Sequence, residues 1–167
     1  LLLFDDQAYL VIHGAIIANG NEQQKIKLTS KNKSWKGLYV YESNLESILK
    51  NVYISNISSI DNNLLKLTGG VTFYKADVNI SNSHFVSSLA EDMINIVESK
   101  YDIKDTVISR TKFDALDSDF SDGYINNLII ENVGGDAIDT SGTNLNISNL
   151  KVNEVMDKAI SAGESSN

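Results

Sequence analysis

The 167-residue chain contains no cysteine and no proline. The first absence excludes disulfides and thiolate-held metals and leaves the compartment open. The second suits an architecture in which nearly every backbone N–H joins a ladder, since proline has none to donate. Arginine occurs once, at Arg110, and histidine twice, at His13 and His84, so a Ser-His-Asp triad has little to be built from. No apolar run approaches the roughly 18 residues of a membrane span. The chain opens Leu1, Leu2, Leu3, Phe4 without methionine or a basic n-region. We therefore expect no signal peptide, but a trimmed piece of a longer chain.

What is present is acidic and unevenly spread. The net charge is −8. Residues 91–140 hold 12 acids against 4 bases, whereas residues 1–90 hold 7 against 8. Such a surface repels nucleic-acid phosphates and attracts cations or basic partners.

A 22-residue period runs through the C-terminal half. Met93-Ile94-Asn95 is matched by Ala115-Leu116-Asp117, then Ala137-Ile138-Asp139, then Ala159-Ile160-Ser161. A second column, Asn56, Asn82, Asp105, Asn127 and Asn149, recurs at steps of 26, 23, 22 and 22. Apolar and polar residues alternate over three to five positions between Asn, Asp, Gly and Ser, the pattern of short strands joined by sharp corners. Three strands and three corners per period predict an all-β fold, a right-handed parallel β-helix with about 4.8 Å between coils. Leucine-rich repeats need a Leu and Asn spacing that is absent, and ankyrin or tetratricopeptide repeats are longer and helical. We expect one domain, with opening coils at 1–43 and regular coils at 44–167. Ile94, Leu116, Ile138 and Ile160 should stack inside, and the Asn column should form a ladder at one corner.

The column after the aliphatic stack points outward: Asn95, Asp117, Asp139, Ser161. Before each strand lie Asp92, Asp114, Asp136 and Lys158. Asp114, Asp117, Asp136 and Asp139 should thus cluster over two coils. Clustered carboxylates hold Ca²⁺, act as an acid and base pair on a glycoside, or simply keep a surface solvated. Without a carbonyl cage, Ca²⁺ should bind only in the weak class, about 10⁻⁴–10⁻³ M. In similar, wet surroundings nothing should separate the carboxyl pKa values. Two cation motifs fail: Asp117 to Gly123 begins like an EF-hand loop but puts Leu128 at position twelve, and Gly134 to Asp139 lacks the nonapeptide glycine spacing. Trp35, Tyr39 and Tyr41 either form a sugar-stacking platform or seal the stack. The Asn-x-Ser sequons at Asn32, Asn56, Asn79 and Asn146 carry no reading, because most arise from the repeat.

Gly14 to Gly20, Ile26 to Ser30 and Trp35 to Val40 resemble the opening coils of bacterial right-handed parallel β-helix proteins of the pectate-lyase-like superfamily. The resemblance implies a groove for polysaccharide along the first-strand face. It also implies an extracellular or cell-surface location in a bacterium, and further coils or capping domains beyond this segment. It does not fix activity, since that superfamily includes lyases, hydrolases, epimerases, adhesins and inert spacers. Similar lyases set an Arg or Lys base beside Ca²⁺, and here only Lys158 lies near the acidic column. Similar hydrolases pair aspartates with Gly-His-Gly and Arg-x-Lys, both absent. The expectation is a non-enzymatic scaffold or binding module whose partner is a polysaccharide or another protein. The alternative is a polysaccharide lyase or epimerase acting through Asp114, Asp117, Asp136, Asp139 and Lys158.

Overall fold

The computed structural model describes residues 1–61 and 66–167. The chain winds into a parallel β-helix of about seven turns with roughly 23 residues per turn. Among the described residues, fifteen strands join into one sheet wrapped around the core, every pairing in it parallel. Each full coil has three sides, called here the first, second and third faces. Representative segments are Asp114–Asp119 for the first, and the two halves of Asp122–Val133 for the second and third.

The corners explain the polar columns of the sequence. Glu42, Lys75, Glu98, Phe120 and Gly142 turn from the first face to the second, all at positive φ. Asn51, Asn82, Asp105, Asn127 and Asn149 turn to the third, and Asn56, Ser87, Arg110, Asn132 and Glu154 close it, again at positive φ. Left-handed backbone reverses the chain within one residue and is cheapest for Asn, Asp and Gly. The expected Asn column is thus real from Asn82 onward, but its first member is Asn51, not Asn56. Tyr53 and Ile54 pair with His84 and Phe85, which sets Asn51 over Asn82, an interval of 31. An Ile-x-Asn triplet in the wrong corner mimicked the repeat because the coil between them carries an insertion. The amide ladder is also partial. Asn127 Nδ2 donates to Asp105 Oδ1 at 2.7 Å, whereas Asn149 Nδ2 donates to Asn126 Oδ1 at 2.9 Å.

Inside, Val71, Ile94, Leu116 and Ile138 stack in register and are fully buried. Ile160 does not join them as expected: it is 48% exposed. Among the described residues, the strand Ser161–Ala162 pairs only with Ile138–Ser141, which leaves its other side open. A buried hydroxyl ladder accompanies the stack. The N–H of Ala76 donates to Ser99 Oγ, that of Ser99 to Ser121 Oγ, and that of Ser121 to Thr143 Oγ1, at 2.9, 3.1 and 3.2 Å. These N–H groups would otherwise be stranded at a corner with no water.

The earlier coils are looser. Leu10 pairs with Leu38 and Leu38 with Val71, intervals of 28 and 33, before the spacing settles to 23 and then 22. The longest coil carries an antiparallel hairpin arm, Ile60–Asp61 against Lys66–Leu67. The choice left open for Trp35 resolves toward sealing: it is fully buried, stacks on Phe4 at 4.1 Å and donates through Nε1 to Ser55 O. Tyr39 is equally buried, its hydroxyl donating to Lys36 O and accepting from Ile60 N. Only Tyr41 of the three remains partly open.

Candidate functional site

The first face has two unlike halves. Parallel pairing puts His13, Tyr41, Tyr74, Val97, Asp119 and Ser141 in one outward column, and Val11, Tyr39, Thr72, Asn95, Asp117, Asp139 and Ser161 in the next. The N-terminal half is therefore aromatic and the C-terminal half acidic. His13 and Tyr41 lie 5.9 Å apart and Tyr41 and Tyr74 6.2 Å apart, centroid to centroid, tilted rather than stacked. Lys75 Nζ sits 5.1 Å from the centre of the Tyr74 ring.

The halves meet at a cleft of about 210 Å³ lined by Tyr41, Tyr74, Thr72, Asn95 and Val97, with Lys66, Leu67 and Thr68 of the hairpin as one wall. Thr72 Oγ1 is buried there without a hydrogen-bond partner among the described residues. Gly69 leaves the room: a Cβ on it would lie 2.4 Å from Thr72 Oγ1 and 2.7 Å from Asn95 Cβ.

In the acidic half, Asp114, Asp117, Asp136 and Asp139 do come together, but in two different roles. Asp117 and Asp139 are direct neighbours in the outward column. Asp114 and Asp136 tie coil to coil: Asp114 Oδ1 accepts the N–H of Asp136 at 2.7 Å, and Asp136 Oδ1 that of Lys158 at 2.8 Å. Lys158 Nζ also reaches Asp136 at 3.4 Å and Asp157 at 2.8 Å. Among the described residues, no group of three or more His, Cys, Asp or Glu side chains is arranged to hold a metal ion.

Asp92 and Asn95, assigned no role from the sequence, complete the site. Asn95 Nδ2 donates to Asp92 Oδ2 and to Asp117 Oδ2, each at 3.0 Å, bridging two carboxyl groups. Both are poorly solvated. Burial, reinforced by the neighbouring aspartates, pushes Asp117 up to about 8, and burial pushes Asp92 up to about 6. Burial also raises Asp114 and Asp119. The expectation of uniform, wet carboxylates is thereby overturned. Parallel pairing sets these side chains one beside the next, which keeps water from them, and removing water disfavours the charged form. The signal for Asp92 was already in the sequence, as the member of the Asp114 and Asp136 column one coil earlier. The cleft had no such signal, because its wall comes from the insertion.

Such a face can stack an apolar ring on tyrosine, bond a hydroxyl through Asn95, and offer a protonated carboxyl beside it. No protein-family model and no curated protein sequence matches the chain. Among solved structures, the backbone is similar to the catalytic domain of a GH87 α-1,3-glucanase in complex with nigerose. The TM-score is 0.58 at 14% identity, covering 98% of this chain and 33% of the other. The chain thus spans about a third of the structure that it matches, and the likeness is one of fold.

Proposed function

We propose that the chain is a carbohydrate-binding β-helix module of a secreted or surface protein, its ligand lying along the first face from the tyrosine half to the carboxyl half. The observation that carries this reading is the cleft where Tyr41 and Tyr74 meet Thr72 and Asn95. Aromatic rings with a few convergent polar groups are the usual lining of a small-molecule site. The glucanase of similar fold, solved with nigerose, supports a carbohydrate ligand. The favoured class is neutral, because the Asp92, Asp117, Asp119 and Asp139 half disfavours a run of uronates, and Lys66 and Lys75 stand only at the tyrosine end. Calcium enters only as a weak ligand of the Asp114, Asp117, Asp136 and Asp139 end. Binding to neutral glucans and to polygalacturonate, with and without Ca²⁺, tests the reading. The neutral glucan should be retained and Tyr74→Ala should weaken it about tenfold or more. Retention of polygalacturonate alone, or indifference to Tyr74→Ala, would reject it.

A second reading, a polysaccharide-acting enzyme, is favoured by one observation. Asp92 and Asp117, joined through Asn95, titrate near 6 and 8. Separated carboxyl pKa values are what acid–base catalysis on a glycoside needs. Asp117 then supplies the proton and Asp139, its neighbour, the second carboxylate. Release of reducing or unsaturated ends, lost in both Asp117→Asn and Asp139→Asn, would move the protein to that class.

A further inference from the structure

We propose that the second face carries a separate binding site for a neutral saccharide, centred on Tyr124. Three coils set outward pairs in register there: Asp102 and Lys104, Tyr124 and Asn126, Asn146 and Ser148. With Ile125 and Ile147 they line an open cleft of about 270 Å³. It shares no residue with the first-face cleft, and the corners at Glu98, Phe120 and Gly142 stand between the two.

The chemistry is already arranged. Tyr124 is 62% exposed, an aromatic face offered to solvent. Asn126 Oδ1 accepts from Ser148 Oγ at 3.2 Å and from Asn149 Nδ2 at 2.9 Å, which fixes the amide and leaves its Nδ2 to donate outward. Asp102 Oδ2 holds Lys104 Nζ at 2.7 Å, and the exposed Asn146 lies in register with Tyr124 on the other side.

The same features exclude other ligands. Asp102 and Lys104 neutralise each other, so the cleft attracts neither sign of charge. The strand Asp122–Val133 that carries Tyr124 is paired on both edges, so no peptide can add to it as a strand. What remains is a neutral ring with an apolar face for Tyr124 and hydroxyls for the Asn126 and Asn146 amides.

The proposal does not rest on the reading of the first face, and one titration separates them. Cellohexaose, laminarihexaose and maltohexaose are each added to the whole chain, with the Asn126 side-chain amide and Tyr124 ring followed by NMR. At least one hexaose should shift both signals saturably. Tyr124→Ala should weaken that binding about tenfold or more, Tyr124→Phe should keep it, and Tyr74→Ala should leave it unchanged. No shift with any of the three at millimolar concentration would overturn the site. So would unchanged binding in Tyr124→Ala, or loss of the Asn126 shift in Tyr74→Ala. If Tyr124→Ala fails to fold, the wild-type Asn126 signal still decides.

Discussion

The coils before Gly69 and those from Asp92 onward share one core but differ in almost everything else. The later coils keep a 22-residue interval, stack like on like and carry the carboxyl groups. The earlier ones run to 28 and 33, put His13 and Tyr41 in the column where the later ones have Val97 and Asp119, and carry the hairpin that walls the first-face cleft. Strict repetition places identical groups over one another, which stabilises an apolar column and crowds an acidic one. Departure from repetition makes a concavity. The candidate site lies where one regime meets the other.

Titration should separate the two regions most strongly. Asp117 and Asp92 have folded pKa values of about 8 and about 6, above the 3.8 of a free aspartate. The folded chain therefore holds protons that the unfolded chain has released, and stability falls as pH rises. That contribution is complete below about pH 4, declines through about 6 for Asp92, and is gone above about 8 for Asp117. Urea midpoints should be higher at pH 5 than at pH 8. Asp92→Asn with Asp117→Asn should flatten this slope and exceed wild type at pH 8. A wild-type midpoint that rises from pH 5 to pH 8 would show these carboxyls to be ionised and satisfied.

Core truncation comes next. Leu116→Ala should cost about 2–5 kcal/mol, since coils on both sides hold the cavity open. Ile160→Ala should cost well under about 1 kcal/mol, because that side chain is already half exposed. Equal losses in chemical denaturation would mean that Ile160 belongs to the stack after all.

Ser121→Ala removes a rung of the hydroxyl ladder and leaves the Ser99 N–H without an acceptor. The expected loss is about 1–3 kcal/mol, with faster hydrogen exchange at the Ser99 amide. Unchanged exchange would point to another acceptor for that N–H. Gly142→Ala should cost less than Ser121→Ala, about 1 kcal/mol for a β-carbon at φ +62°. The Phe120 ring that it would touch is 70% exposed and free to swing away. A loss several times larger would mean that Phe120 is held in place.

Much of the regular region was legible because a parallel β-helix writes its geometry into the period. Ile94, Leu116 and Ile138 recur at 22, as do Asp105, Asn127 and Asn149, and the structure pairs them in register. Legibility failed where the period did: Asn56 stood in for Asn51, and Trp35 and Tyr39 were open to two readings until their burial was seen. The buried Ser99, Ser121 and Thr143 column was overlooked because hydroxyl residues are common at turns and their burial has no mark in composition.

The sequence by itself determined the fold class, the coil length, the stacked columns and the sign of the charged face, since each follows from residue type and spacing alone. Only the tertiary structure decided which carboxyls are dry, which aspartates merely tie coils together, and where the clefts open. Desolvation of Asp117 depends on Asp92, Asn95 and Asp139 from adjacent coils, and the cleft wall on a hairpin inserted ahead of the Gly69 strand. Those neighbours are brought together by packing, and a one-dimensional pattern does not carry the water that packing removes.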